Sequence, residues 1–373
     1  FMLKNVLKII PWCALFWAGN ANAAINVAVI APQVGEFKHF GNELINGVRI
    51  AVDDINSQGG VKGERVNLVV VDDQCDDTFA VSTAQMMAVN SSKEDRMNLV
   101  VGPYCPNAFE KVSDIYAKAN IFQIIPTTIS KSEAQHSHQG LVKMVGSTDS
   151  QGADFYNYYK ASFNGQNVAL IYDSSVRNVV EIAASVQNEF RRNNEALKLR
   201  VYDFAVYRRD LAAMAQDITV QGNDVVYILG KSENIAELSR NLKDEKKDVV
   251  IFTNRYQANG NYEELLGDLA EGSYFVALPS LKDKPSFTET LVRLGLQGAE
   301  PEGLGVYSYS AVKLWQELVD KADSFKYGDL AKALGKDKVE TVWGERTFVN
   351  GNPDKSINYG IYKLEGGEYT QVY

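Results

Sequence analysis

Histidine and cysteine are scarce in this chain, with three of each among 373 residues. The short motifs of common catalytic sites are also missing: the sequence has no G-x-S-x-G nucleophile turn, no H-E-x-x-H zinc helix, no phosphate-binding P-loop and no dinucleotide fingerprint. Internal repeats, heptads and low-complexity tracts are lacking as well. Nothing here supports catalysis, and we expect neither an enzyme nor a bound cofactor or metal ion.

Positively charged residues are outnumbered by acidic ones. Lys and Arg total 38 against 47 Asp and Glu, which gives a formal net charge of −9. This balance argues against nucleic acid or an anionic membrane as the main partner. The chain is 45% hydrophobic and 23% charged, an ordinary globular composition, and it is long enough for two domains.

Long apolar runs are confined to the first residues. Two lysines precede the apolar stretch Ile9–Ala18, and Ala21-Asn22-Ala23 provides an A-x-A exit, a pattern typical of a secretory signal peptide. The stretch is too short to span a bilayer, and Pro11 interrupts it. We expect cleavage after Ala23 to remove residues 1–23 and leave an exported, soluble product. A buried N-terminal helix is the alternative.

The centre of the first half predicts a strand–helix–strand unit. Leu99–Val101 and Ile121–Ile125 are short apolar runs typical of buried strands, and apolar residues recur at helical spacing from Phe109 to Ala119. A right-handed crossover makes the two strands parallel. Ligands gather at the carboxyl ends of such strands. The turns Gly102–Asn107 and Pro126–Ser130 should therefore face one crevice.

The same alternation of patterns continues along the chain and predicts two doubly wound α/β lobes. Further strands are expected at Ile25–Ala31, Val66–Val71, Leu141–Val145, Val168–Tyr172, Leu199–Val206, Val225–Leu229 and Val249–Thr253. Further helices are expected at Asn42–Ser57, Phe79–Val89, Asp154–Ala161, Val179–Arg191, Leu211–Val220, Ile235–Leu242, Ser286–Leu294 and Val306–Lys321. A β pattern returns at Thr341–Val349, Tyr359–Leu364 and Tyr369–Tyr373.

Two cysteines remain after the predicted cleavage, Cys75 and Cys105. Each lies just beyond a predicted strand of the same sheet, and an oxidising compartment favours a disulfide between them. Two buried free thiols are the alternative. The acids around Cys75, at Asp72, Asp73, Asp76 and Asp77, are expected to be solvated and to cap the next helix rather than bind a cation.

Blocks of residues spread over the chain resemble a known family. They are N-G-V-R-I-A-V-D-D-I-N-S-Q-G-G-V-K-G at Asn46–Gly63, D-D-Q-C-D-D at Asp72–Asp77, G-P-Y-C at Gly102–Cys105, S-D-I-Y at Ser113–Tyr116, D-S-Q-G at Asp149–Gly152, A-E-G at Ala270–Gly272 and F-V-N-G-N-P-D at Phe348–Asp354. In these blocks the chain is similar to the periplasmic leucine/isoleucine/valine-binding proteins that feed ABC transporters. The resemblance implies a type I periplasmic binding fold, in which two lobes joined by three hinge crossovers close on a ligand.

The resemblance also implies a domain division and a role. Crossovers near Ser147, Pro279 and Lys338 would give a first lobe of residues 24–146 and 280–338 and a second lobe of residues 147–279 and 339–373. The protein would be a periplasmic monomer that captures a small polar molecule and delivers it to an ABC transporter permease in the inner membrane. A ligand-sensing subunit that docks on a membrane receptor is the alternative, since one fold serves both roles.

The expected ligand contacts of the first lobe lie in its two turns and in one aromatic residue. The resemblance implies that Phe40 covers the ligand and that hydroxyls hold its carboxylate, although Pro106 replaces the family's hydroxyl residue and Ile129 its key threonine. Hydroxyls remain at Thr127, Thr128 and Ser130. The expected contacts of the first lobe are Phe40, Tyr104, Cys105, Pro106, Asn107, Thr127, Thr128 and Ser130.

The second lobe departs further from the family. Arg177 and Lys231 stand where tyrosines are common, and Arg255-Tyr256 lies near the family's usual carboxylate for the ligand's amine. Solvated rim side chains are the alternative for these basic residues. Because an ammonium would meet like charge there, we expect a small organic acid or an acidic amino-acid derivative rather than leucine or valine. Neutral branched-chain amino acids are the second option.

Two of the three histidines, His136 and His138, lie in the polar loop S-E-A-Q-H-S-H-Q-G. We expect both at the surface.

Overall fold

A computed structural model describes residues 25–373 except 91–95, 106–107, 208–209, 259–260, 283, 299–302 and 356. The predicted signal peptide, residues 1–23, lies outside the described residues, and so do Pro106 and Asn107. The side chain of Arg177 is likewise not described. No helix in the described part of the chain combines the length and the apolar character that crossing a membrane requires.

Sixteen strands occur in the described residues, most of them short apolar runs at the places that the sequence predicts. They are β1 (Ile25–Ile30), β2 (Val66–Val71), β3 (Met97–Val101), β4 (Phe122–Ile125), β5 (Leu141–Lys143), β6 (Val168–Tyr172), β7 (Leu199–Asp203), β8 (Val225–Leu229), β9 (Val250–Asn254), β10 (Tyr274–Ala277), β11 (Val339–Thr341), β12 (Gly344–Arg346), β13 (Phe348–Val349), β14 (Asn352–Pro353), β15 (Gly360–Glu365) and β16 (Glu368–Gln371).

Helices alternate with these strands. They are α1 (Lys38–Ser57), α2 (Asp77–Val89), α3 (Phe109–Lys118), α4 (Lys131–Gln135), α5 (Gln151–Ser162), α6 (Arg177–Arg192), α7 (Phe204–Tyr207), α8 (Leu211–Val220), α9 (Ser232–Glu245), α10 (Arg255–Ala258), α11 (Tyr262–Leu266), α12 (Thr288–Gly295), α13 (Leu304–Ala322) and α14 (Tyr327–Lys336).

Two sheets with the same strand order form the centres of the two lobes. The first is parallel throughout, in the order β2-β1-β3-β4-β5. The second repeats that order as β7-β6-β8-β9-β10 and is extended by the antiparallel strands β15 and β16. Central strands such as β1 and β8 are buried along their whole length because helices cover both faces. The predicted fold of two doubly wound α/β lobes is confirmed.

A helix from late in the chain completes the first lobe. The α13 helix packs on α1, where the hydroxyl of Ser308 donates to the Leu44 carbonyl (2.9 Å) and the Leu304 N–H donates to Glu43 Oε2 (2.5 Å). The two backbones come close enough that a Cβ on Gly47 would lie 2.0 Å from the Gly305 carbonyl oxygen. Glycine is therefore required at position 47 for the two helices to approach.

Four short strands follow Lys338 before the chain reaches the second sheet. Strands β11 to β14 form two hairpins that pack on elements of the first lobe: the Lys143 N–H donates to the Gly351 carbonyl (2.7 Å), and the rings of Trp343 and Tyr307 are 5.0 Å apart. Of the late strands, β15 and β16 join the second sheet. The segment between Pro353 and Gly360 thus leads from these hairpins to the second sheet.

Two local predictions are also corrected. The strand expected at Leu199–Val206 ends at Asp203, because the Asp203 carboxylate accepts the Ala205 N–H (2.9 Å) and starts the helical turn α7. The strand expected at Thr341–Val349 is broken by Gly344, which adopts φ +89° and lets the chain reverse. Helices α4, α7, α10, α11 and α14 and strand β10 were not predicted.

Candidate ligand-binding cleft

A cavity of about 510 Å³ lies where the carboxyl ends of the strands in the two sheets face each other. From the first lobe it is lined by the turns after β1, β2, β3 and β4, and from the second by those after β6, β8 and β9. This is the place where open parallel sheets bind ligands. The lining residues are Glu36, Phe37, Cys75, Tyr104, Cys105, Thr127, Thr128, Ile129, Ser130, Glu133, Thr148, Gln151, Ser175, Val176, Asn178, Ile182, Gly230, Lys231, Asn254, Tyr256 and Leu304.

A disulfide ties two of the first-lobe turns together. Cys75 and Cys105 are bonded, with their Cα atoms 5.3 Å apart, so the predicted pairing is confirmed. The neighbouring acids organise the turn, since the carboxylate of Asp73 accepts the Cys75 N–H (3.3 Å) and that of Asp76 caps α2 by accepting from Thr78 and Phe79. Burial raises the pKa of the Asp73 carboxyl, an effect that the hydrogen bond from Cys75 partly offsets.

Three aromatic side chains form an apolar wall of the cavity. Phe37, Tyr104 and Tyr256 line it. Phe40, the aromatic expected to cover the ligand, is 3% exposed and stands behind them, stacked on Tyr104 at 5.8 Å and 5.6 Å from Tyr256 between ring centroids. Phe37, at the start of α1, takes the place at the cavity. Burial, with the nearby charges of Glu43 and Glu36, raises the pKa of Tyr104, so its hydroxyl stays neutral.

The turn after β4 supplies the hydroxyls. Ile129 fixes this turn to the first crossing between the lobes, because its N–H donates to the Gly146 carbonyl (3.2 Å) and its carbonyl accepts the Thr148 N–H (2.8 Å). The adjacent Thr127 and Thr128 line the cavity. The sequence predicted hydroxyls in this turn but did not show what holds the turn in place.

Ser130 caps the helix α4 and also lines the cavity. Its hydroxyl accepts the Glu133 N–H (3.2 Å) while the Glu133 carboxylate accepts the Ser130 N–H (2.8 Å), which forms a capping box at the start of α4. The cap brings the buried Glu133 to the cavity wall. The sequence analysis missed this acid, although the spacing S-K-S-E is the signal that identifies a capping box.

The second-lobe wall is built around a buried amide. The side chain of Asn254 donates to Gln151 Oε1 (2.6 Å) and accepts the Tyr256 N–H (2.9 Å), so it joins the end of β9 to the start of α5. Ser175 and Asn178 line the same wall, and Lys231 lies there as an exposed side chain. Ser175, Asn178 and Asn254 were not predicted as contacts, and neither was Glu36 in the first lobe. Nothing in the local sequence distinguishes these residues from other loop residues.

Arg255 points away from the cavity. Its guanidinium lies 4.1 Å from the centroid of the Tyr369 ring, a cation–π geometry on β16 of the same lobe. The backbone of Arg177 begins α6 at the cleft, but its side chain is not described. Of the three basic residues expected on this wall, Lys231 is thus the one whose described side chain lines the cavity.

The structure brings seven of the predicted ligand contacts together at the cavity. Two others, Phe40 and Arg255, do not line it, and Pro106, Asn107 and the side chain of Arg177 lie outside the described residues. The seven lining residues are Tyr104, Cys105, Thr127, Thr128, Ser130, Lys231 and Tyr256.

Comparisons with known proteins agree with this architecture. Residues 24–367 match the family described as periplasmic binding protein. An amino acid binding protein of Pseudomonas aeruginosa is 25% identical over 380 residues, which cover 99% of this chain and 98% of the relative. The leucine-specific-binding protein of Salmonella typhimurium is 25% identical over 342 residues, which cover 91% of this chain and 90% of the relative. The crystal structure of a solute binding protein from R. palustris in complex with benzoate superimposes with a TM-score of 0.75 at 15% identity, over 94% of this chain and 95% of that chain.

Proposed function

The chain belongs to the periplasmic binding protein family, and we propose that it captures a small carboxylate-bearing molecule between its two lobes and passes it to an ABC importer. The observation that carries this proposal is the cavity of about 510 Å³ between the strand ends of both sheets. Its volume is typical of sites for small molecules, which span roughly 300 to 1,000 Å³. Both lobes contribute side chains, so a bound ligand favours the closed form over the open one.

Carboxylate recognition follows from the donors at the cavity. Thr127 and Thr128 present hydroxyls from one lobe, and Lys231 presents an ammonium from the other. A carboxylate between them receives charge-assisted hydrogen bonds, which are stronger than neutral ones. The rings of Phe37, Tyr104 and Tyr256 suit the apolar or aromatic body of the ligand.

The other end of the ligand is less constrained than the sequence suggested. With Arg255 directed elsewhere, the repulsion expected for an ammonium is reduced. Glu36 and Glu133 add carboxylates to the same cavity. We therefore propose that the carboxylate is the required group and that an amine is tolerated, which includes both organic acids and amino acids. The named binding of leucine by one relative and of benzoate by a structural neighbour fits this range.

We also propose the periplasm as the place of action, with residues 1–23 as a signal peptide and a permease of the inner membrane as partner. The lobes would comprise residues 24–146 with 280–353 and residues 147–279 with 360–373, and they would swing about Ser147, Pro279 and the segment between Pro353 and Gly360. Small-angle scattering should then show compaction when ligand is added. An unchanged radius of gyration at saturation contradicts the hinge motion.

A thermal-shift panel tests the ligand class on mature protein that begins at Ala24. Matched compounds isolate the groups: leucine, leucinamide without the carboxylate, 4-methylpentanoate without the amine, and benzoate. A ligand at 100 times its Kd stabilises the fold by about 2.7 kcal/mol. We expect carboxylates with and without an amine to raise the melting temperature and leucinamide to have no effect. Equal stabilisation by leucinamide, or none by any carboxylate of the panel, overturns the proposal.

A further inference from the structure

Two histidines and an aspartate meet on the first lobe, and none of them lines the ligand cavity. Nε2 of His138 lies 2.7 Å from Oδ1 of Asp114, and Nε2 of His136 lies 3.0 Å from the same oxygen. The two imidazole rings are 4.9 Å apart between centroids in an edge-on arrangement. All three potential donor atoms lie within 4.8 Å of one another. Both histidines lie at the surface as expected, with side chains that are partly buried.

Local sequence explains how the histidines come to share a side. His136 follows α4 with extended backbone angles (φ −70°, ψ 128°), and the chain stays non-helical through His138. Residues two apart in an extended segment point to the same face. Asp114 approaches that face from α3, where it lies one turn and a half after the start of the helix.

The buried ammonium of Lys143 holds the loop that carries the two histidines. Nζ of Lys143 on β5 donates to the carbonyls of Ala134 (2.9 Å) and His136 (2.7 Å). The side chain of Asn352 on β14 donates to the same Ala134 carbonyl (2.9 Å). The ring of Phe109 packs edge-on against His136 at 6.0 Å between centroids. The imidazoles are therefore placed by rigid elements, which is what a binding site for an ion needs.

Hydrogen bonding alone leaves this cluster incomplete. Nε2 of His136 is buried and forms no well-oriented hydrogen bond within the described part of the chain, although it is 3.0 Å from the carboxylate. Buried nitrogens of this kind normally have a partner. A group that bonds all three atoms at once would satisfy the orphaned nitrogen.

A divalent ion of the zinc class has the bonding that the three atoms offer. Zinc binds imidazole nitrogen and carboxylate oxygen at about 2.0 to 2.2 Å in tetrahedral geometry, which places neighbouring donors roughly 3.3 Å apart. The two nitrogen–oxygen distances of 2.7 and 3.0 Å then have to open by about 0.3 to 0.6 Å. The side chains of Asp114, His136 and His138 are 45%, 23% and 29% exposed, so water can occupy the fourth position.

We propose that Asp114, His136 and His138 form a binding site for a borderline divalent transition-metal ion such as Zn²⁺, with two imidazole ligands, one carboxylate ligand and one position open to solvent. The site is separate from the ligand cavity, although the five-residue helix α4 links the two, since it begins at Ser130 in the cavity wall and ends next to His136. Both imidazoles must be unprotonated to bind the ion, so affinity falls when the solution is acidified.

Isothermal titration of ZnCl₂ into the mature protein tests the site, with Co²⁺ as a spectroscopic probe. At neutral pH we expect one ion per chain and visible absorption bands of tetrahedral Co²⁺. His136→Ala and His138→Ala should each weaken zinc binding at least about tenfold, a loss seen even for groups that only support metal ligands. His39→Ala is the matched control, because His39 is the third histidine and lies on α1, and it should leave the affinity unchanged.

Circular dichroism and melting curves identify variants that fold like the wild type. Asp114→Asn adds a nearly isosteric change that removes the charge and replaces one carboxylate oxygen with an amide nitrogen, and it should also weaken zinc binding. The absence of saturable zinc binding overturns the proposal. So does wild-type affinity in a folded His136→Ala/His138→Ala double variant, or a loss as large in His39→Ala.

Discussion

The two lobes share one strand order but support the cleft in different ways. In the first lobe, the Cys75–Cys105 disulfide and the Ser130 capping box fix the turns that face the ligand. In the second lobe the sequence has no cysteine, and the wall depends on hydrogen bonds such as that between Asn254 and Gln151 (2.6 Å). The common topology therefore determines where a ligand binds, while the turns determine what it contacts and how firmly those contacts are held.

The lobes also differ in the charge that each one buries beside the first crossing. Lys143 lies at the end of β5 in the first lobe, where its ammonium donates to two carbonyls. Asp154 lies on α5 in the second lobe, where its carboxylate accepts the Tyr359 N–H (2.7 Å). Burial lowers the pKa of Lys143 to about 8 and raises that of Asp154 to about 6. The two lobes should thus respond to pH in separate ranges.

Removing the disulfide should have the largest effect on stability. It takes away the covalent link between first-lobe turns that the second lobe lacks. The bond joins residues separated by 30 positions, and chain-entropy reasoning gives roughly 3 to 4 kcal/mol for a loop of that size. We expect Cys75→Ser/Cys105→Ser to lose about this much free energy of unfolding in urea titrations. Reduced wild-type protein is the control and should match the variant. A urea midpoint of the variant equal to that of the oxidised wild type would show that the disulfide contributes nothing to the free energy of unfolding.

Ligand affinity should depend more on the ammonium of Lys231 in the second lobe than on the hydroxyl of Thr128 in the first. Lys231→Met should weaken binding of a carboxylate roughly tenfold to a hundredfold, since hydrogen bonds to charged groups are worth about 1.5 to 3 kcal/mol. Thr128→Val should cost only about two- to tenfold, as for a neutral hydrogen bond. Calorimetric titration measures both, and Lys247→Met, an exposed lysine of the second lobe that does not line the cavity, is the control. A larger loss in Thr128→Val than in Lys231→Met would reverse the comparison.

Asp154 should make the second lobe sensitive to mildly acidic pH. Burial raises its pKa from 3.8 to about 6, and the hydrogen bond from Tyr359 only partly opposes this. The folded protein holds a proton in that range that the unfolded chain releases, so the stabilising contribution is lost as pH rises through about 6. Melting curves should show that Asp154→Asn gains stability relative to the wild type as pH rises from 3.8 to 6. A difference that is independent of pH contradicts this assignment.

Lys143 should give the first lobe an opposite dependence of similar size at alkaline pH. Burial lowers its pKa from 10.5 to about 8, so between these values the unfolded chain binds a proton that the folded protein does not. The wild type should therefore gain stability relative to Lys143→Met as pH rises from 8 to 10.5. The slope of the difference is the readout, because the lost hydrogen bonds to Ala134 and His136 add only a constant offset. A flat or falling difference rules out a depressed pKa.

Much of the fold followed from apolar runs, because strands of a parallel sheet buried on both faces are nearly continuous in hydrophobic residues. The position of the cleft followed from the turns after those strands. The sequence could not show which sheet the late β segments join, since Val339–Pro353 has the same strand character whether it packs on the first lobe or extends the second sheet. The sequence alone therefore does not locate the third crossing.

Side-chain direction was the other limit. Arg255 and Tyr256 are neighbours at the start of α10, yet one packs on Tyr369 and the other lines the cavity. Successive residues of a helix point in directions about 100° apart, so the outcome depends on where the helix begins. The meeting of Asp114 with His136 and His138 was also hidden, because it depends on how α3 lies beside the loop after α4.

The packing of α13 on α1 also determines when the first lobe can be completed as the chain is synthesised. The strands of the first sheet all lie between Ile25 and Lys143, whereas the bond from Leu304 to Glu43 spans 261 residues of chain. A chain made from its N-terminus can pair those strands early, but the surface of α1 that awaits α13 stays uncovered until the parallel strands of the second sheet have also been made. Contacts of such long range slow folding. The lobe whose strands are made first thus stays incomplete until most of the second sheet has been made.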